Sequence, residues 1–192
     1  IQIQVCGMII LVLLFLFYKS QKSLQLYTEK AFYMTFCMAI INLALDIMSI
    51  LFIEYRALFS DVIVLGVCKL YIISLVWESV FALHYVLVDL LSEKTHRRWK
   101  VYLVCLTLLQ SALITALPIY IHHEDGATYT YGPSTLVVYA FTLIYILATI
   151  VVLSIFGKKL NKRRRAAVGV WMFVWVTGAL LQYFNSELFV FE

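Results

Sequence analysis

The chain has 192 residues, 64% of them hydrophobic, and a formal net charge of +4. Its mean hydropathy is +0.93. Soluble domains are roughly 45–50% apolar, so this composition argues strongly against one, and the modest charge gives no sign of nucleic-acid binding. With two prolines and seven glycines, and apolar runs longer than the roughly ten-residue strands of a membrane barrel, it points to a bundle of membrane helices.

Six apolar segments satisfy the length of a helical span: Ile3–Tyr18, Phe32–Glu54, Val62–Leu91, Val101–Ile121, Ser134–Phe156 and Ala166–Phe184. The first lacks the basic flank and the small-residue cleavage site of a secretory signal. The connections are short, so sequential helices are expected to be antiparallel neighbours. After Phe184, Leu188–Phe191 reads as the start of a seventh helix. The chain begins with Ile and stops within that apolar run. Residues 1–192 are therefore expected to be one transmembrane domain taken from a longer protein.

The basic residues orient the bundle. Thirteen of the fifteen Lys and Arg fall in the first, third and fifth connections; Arg56 stands alone in the second, and Lys69 lies within a helix. Positive charge collects on the cytoplasmic side, which predicts cytoplasmic odd connections and an external N-terminus. The densest run, Lys158 to Arg165, is read as a topology anchor against anionic head groups. Cys6, Cys37, Cys68 and Cys105 all sit in apolar runs without metal-ligand spacing, as small buried hydrophobes do.

Ionisable groups inside a span are costly and face other helices or a wet cavity. The second segment carries Asn42, Asp46 and Ser49 on one helical face. The third carries Tyr71, Glu78 and Tyr85 at seven-residue spacing, interleaved with Leu75, Ala82 and Asp89, a stripe expected to face the bundle. Lys69 and His84 fall off it. Asp46 and Lys69 are close in depth on adjacent helices, which predicts an ion pair or a shared polar network; snorkelling of Lys69 to Glu54 or Asp61 is the other option. Glu78 has no cation at its depth. A satisfied interhelical network is the first reading of these groups. A ligand or ion site and a proton relay are the sharper ones.

Between the fourth and fifth segments, Asp125-Gly126 is a hairpin signal, and the alternating Thr and Tyr after it favour a strand. A small external β-hairpin follows, with Gly132-Pro133 opening the fifth helix. His122, His123, Glu124 and Asp125 make a poor metal site, because neighbouring strand residues point to opposite faces. Tyr129 and Tyr131 share a face and are the better ligand contacts. The ligand-binding or switch candidates are thus Asp46, Lys69, Glu78, Tyr85, Tyr129 and Tyr131. No catalytic residue, metal site or cofactor is assigned.

The Leu45-Asp46-Ile47-Met48-Ser49 stretch, His84-Tyr85-Val86-Leu87, the Asp125-Gly126…Tyr131-Gly132-Pro133 hairpin, the basic fifth connection and Gln182 together resemble the N-terminal seven-helix input domains of bacterial GGDEF diguanylate cyclases. Those domains are related to seven-helix input domains of sensor histidine kinases. The resemblance covers most of the chain. It implies a multi-pass domain of the bacterial inner membrane that passes an external or membrane signal, such as a small molecule, to its own C-terminal cytoplasmic output domain. A cyclase output making cyclic di-GMP would act as a homodimer. Glu78 and Lys69 depart from the mostly apolar third helix that the resemblance implies. The chain itself has no GGDEF motif, no phosphate-binding glycine loop and no nucleophile–base constellation. A kinase input domain, a small-solute transporter and an intramembrane enzyme are the alternatives; no Gly/Pro-interrupted helix of the transporter kind is present.

Overall fold

The computed structural model describes residues 2–20, 27–88, 90–124, 127–160, 165, 168, 169, 172 and 173. Five α-helices and one two-stranded sheet are found among them. They run in the order α1 (Gln2–Ser20), α2 (Tyr27–Glu54), α3 (Asp61–Leu87), α4 (Glu93–Ala116), β1 (Tyr120–Glu124), β2 (Ala127–Tyr131) and α5 (Pro133–Phe156). Short 3-10 turns, Arg56–Leu58 and Gly157–Lys159, follow α2 and α5.

Four of the described stretches are long and apolar enough to cross a membrane: Lys30–Glu54, Asp61–Leu87, Lys94–Ala116 and Pro133–Lys159. Their outer faces are apolar as well. Leu109 and Leu136 are about 70% exposed, and Leu143, Val151 and Ile155 stand out beside them. A surface of this kind is stable against hydrocarbon and not against water. The chain is a membrane protein. Most of the sixth expected segment, Ala166–Phe184, and all of the seventh lie outside the described residues, as do Gln182, Asp89 and most of the run Asn161 to Ala167.

Helix α3 is the axis of the bundle. It packs against α2, α4 and α5. Pairs along α2 and α3 run from Phe32–Tyr85 through Asn42–Glu78 to Asp46–Tyr71, and those along α3 and α4 from Lys69–Thr115 through Trp77–Ser111 to His84–His96. In each set one residue number rises as the other falls, so the neighbours are antiparallel, as the short connections predict. The core follows from this placement. Val64, Cys68, Ile72, Val76 and Val80 lie buried down α3, with Leu103 and Ile114 of α4 and Val138 and Tyr145 of α5 around them. A second cluster joins Val86 and Ile146 to Leu160, Val168 and Met172.

Several helix ends differ from expectation: α2 begins at Tyr27 rather than Phe32, α3 ends at Leu87 rather than Leu91, and both ends of α4 move. Helix α4 begins at Glu93 rather than Val101, so Lys94, Arg97, Arg98 and Lys100 stand on its first two turns and not in a loop. Lys and Arg are good helix formers, and the Ser92 carbonyl accepts the His96 amide there. At the other end α4 stops at Ala116, before Ile121, with Pro118 just beyond. Proline disfavours a helical conformation in the residue before it, and Leu117 is extended. The chain turns instead into the hairpin. Glu124 pairs with Ala127 across Asp125-Gly126, and Tyr120 pairs with Tyr131. This is the expected hairpin, and Pro133 opens α5 as expected.

Candidate functional site

Several interfaces in the bundle carry polar links. Between α2 and α3, the Asn42 side-chain amide donates to the Glu78 carboxyl at 2.7 Å. The Ser74 hydroxyl donates to the Asn42 carbonyl oxygen at 2.6 Å. Asn42 is therefore satisfied at both ends of its amide and ties two positions, one turn apart, on the neighbouring helix. Glu78 is only 4% exposed. One turn further along α2, Asp46 has the Tyr71 hydroxyl of α3 and the Gln4 side chain of α1 as hydrogen-bonding neighbours. Ser49 donates back to the Asp46 carbonyl. Toward the other end, the Thr35 hydroxyl reaches the Phe81 carbonyl of α3, and the rings of Phe32 and Tyr85 lie 5.6 Å apart.

Why the sequence builds this row is a matter of period. Seven residues are close to two helical turns, so Tyr71, Glu78 and Tyr85 recur on one side of α3. Asn42 and Asp46, four apart, recur on one side of α2. Antiparallel packing then sets the two rows against each other. The result is a polar seam of Asp46, Tyr71, Asn42, Ser74 and Glu78 within spans that are otherwise apolar.

Lys69 is placed elsewhere. Its ammonium donates to the Thr115 carbonyl oxygen, and the ion pair among the described residues is Arg56–Asp61 at 2.8 Å. Lys69 does not pair with Asp46, Glu54 or Asp61, and the expectation that it does is corrected. Depth along the membrane was matched, but rotation about the α3 axis was not. Lys69 faces α4, whose last turn has carbonyls with no partner within the helix and the negative end of the macrodipole. Ser134 of α5 serves the same end, donating to the Ile114 carbonyl at 3.0 Å. A cation and a hydroxyl from two neighbouring helices thus close the end of α4.

The α3–α4 interface has two further links. Trp77 donates to the Ser111 hydroxyl at 3.2 Å. The His84 and His96 rings meet with their Nε2 atoms 3.1 Å apart, both side chains buried. Between α4 and α5, the Tyr145 hydroxyl donates to the Gln110 side-chain carbonyl at 2.8 Å.

Of the six sequence candidates, the structure brings Asp46, Glu78 and Tyr85 onto the α2–α3 interface. Lys69 goes to the end of α4. Tyr131 lies on the hairpin, half exposed, its ring 5.4 Å from that of Tyr120. Tyr129 holds the place opposite His122 in the register, and its side chain lies outside the described part of the structure. The tyrosines of the hairpin and the carboxyls of the seam are thus on separate elements. Ser74, Gln4, His96, Gln110 and Ser111 were missed. Gln110 and Ser111 are polar residues inside an apolar run, which is the signal that could have found them. His96 was hidden by its place in a basic stretch read as loop. No cluster of three or more His, Cys, Asp or Glu suited to a metal occurs among the described residues.

Searches of protein-family models, of curated proteins and of solved structures found no match to this chain.

Proposed function

We propose that the chain is a membrane-embedded signal-input domain that relays an external or membrane signal to a cytoplasmic output domain on the same polypeptide, a diguanylate cyclase making cyclic di-GMP. The observation that carries the reading is the seam at Glu78. A buried carboxyl held by Asn42 from the next helix is a discrete contact, either made or broken. Interfaces of that kind turn small displacements into shifts between two packings. Helix α3 touches three neighbours, so a change at the α2–α3 contact reaches α4 and α5 through the same rigid element. In this reading the basic ends of the helices face the cytoplasm of a bacterial cell, and the output domain works as a homodimer.

The test is cyclic di-GMP in cells expressing the full-length protein. Output above the vector control is expected, with Glu78→Leu and Asn42→Leu shifting its level or its response at matched protein abundance. Unchanged output in both variants would reduce the seam to packing. Histidine autophosphorylation without cyclic di-GMP would place the domain before a kinase, and solute uptake with neither would make the chain a transporter.

A further inference from the structure

Two grooves run along the first half of α4. One, of about 790 Å³, lies between the end of α3 and α4, with Val88 and Leu91 on one wall and Val101 and Val104 on the other. Its second half-wall is His96, held against His84. The other groove, of about 690 Å³, lies beyond, against Tyr102. Arg97, Val101 and Cys105 line both. At four-residue spacing these three form one ridge down the helix, with a groove on each side.

The charge is all at one end. Lys100 lines the first groove, Lys94 and Arg98 the second, and Arg97 both. All four are exposed, and none forms an ion pair among the described residues. Within two turns the lining becomes Val101, Val104 and Cys105. The surface therefore offers four cations beside two apolar channels, on a helix of membrane-spanning length. An anion in water would leave the channels wet. A neutral lipid would leave the cations without a partner. Basic pockets beside membrane helices suit acidic head groups, each Lys or Arg near the surface contributing about fivefold in affinity.

We propose that this surface is a binding site for one anionic diacyl glycerophospholipid. The phosphate lies at Arg97, the cation that lines both grooves, flanked by Lys94 and Arg98 on one side and Lys100 on the other, and the two acyl chains lie on either side of the Arg97–Val101–Cys105 ridge. The proposal rests on the chain being a membrane protein and not on its role in signalling, so loss of cyclic di-GMP output in the test above would leave it standing.

The experiment is native mass spectrometry of the full chain in neutral detergent, titrated separately with phosphatidylglycerol, phosphatidylcholine and glycerol 3-phosphate. One phosphatidylglycerol per chain is expected to bind in preference to phosphatidylcholine. The variant Arg97→Gln/Lys100→Gln is expected to weaken that binding by about twenty-five-fold, with an unchanged melting temperature because both side chains are exposed. Val101→Trp, which adds bulk on the ridge shared by both grooves and leaves the charges, is expected to weaken it as well. Lys158→Gln/Lys159→Gln removes the same charge at the 3-10 turn after α5 and is expected to change it little. Equal binding of the two lipids, equal loss in the Lys158/Lys159 variant, or glycerol 3-phosphate binding as tightly as the lipid would each overturn the proposal. The last two would leave diffuse surface charge, or a head-group site without chains.

Discussion

Glu78 sits where a carboxyl is most expensive, inside an apolar span, and its neighbours decide what that means. Asn42 supplies the donor and Ser74 in turn supplies a donor to Asn42. A hydrogen bond contributes about 0.5–1.5 kcal/mol net. Asn42→Leu, which removes the bond to Glu78 and an acceptor of Ser74, is therefore expected to lower stability by about that amount, measured by unfolding in a bilayer or mixed micelles, whereas Asn42→Leu/Glu78→Leu is expected to cost less than the sum of the two single changes. Interhelical hydrogen bonds in membranes couple by only about 0.6 kcal/mol on average, with a maximum near 1.7, and the double-mutant cycle is expected within that range. A coupling of zero would mean that the two side chains do not hold each other. Gly132 makes a different demand. Its φ of 119° is in the region that favours glycine, and a Cβ there would come within 2.9 Å of the Tyr120 ring. Gly132→Ala is expected to destabilise the hairpin by about 1–2 kcal/mol, seen as faster amide exchange in β1 and β2 with the helices unaffected.

At the scale of elements, helix ends were the hardest feature to read and the most informative once placed. The apolar run of α4 is obvious in the sequence, but its first two turns are charged and read as a connection. Hydropathy marks where a helix meets lipid; it does not mark where the helix starts. The same holds for the far end, where Lys69 of α3 and Ser134 of α5 take up carbonyls of α4. A cation at a helix C-terminus contributes about 0.3–1 kcal/mol. Lys69→Met is expected to cost that much, and Lys69→Glu more, because a carboxylate would meet the negative end of the helix. Exchange of the Leu117 amide, which bonds to Leu113 at that end, reports the change. If Lys69→Met leaves this exchange untouched, the contact does not stabilise the helix end. The hairpin was readable because its signal is local: Asp125-Gly126 between two runs of strand-forming residues needs no distant partner.

Across the whole molecule, the uneven distribution of basic residues predicts an orientation for the bundle. The basic residues predict that Leu58, in the turn after α2, and Lys94, at the start of α4, lie on opposite sides of the membrane. In a cysteine-free background, Leu58→Cys is expected to react with an impermeant maleimide on intact cells and Lys94→Cys only after lysis. The reverse pattern would invert the orientation. Composition and apolar run length by themselves determined that the chain is a helical membrane protein, and turn chemistry determined the hairpin, because burial in lipid and tight turns depend on residues adjacent in sequence. The seven-residue stripe also determined that Glu78 and Tyr85 face a neighbouring helix. Only the tertiary structure decided which neighbour. It set Glu78 against Asn42, His84 against His96 and Lys69 against the end of α4. Those pairings depend on the rotation of each helix about its own axis, and that angle is chosen by how whole surfaces pack together, not by any one stretch of sequence.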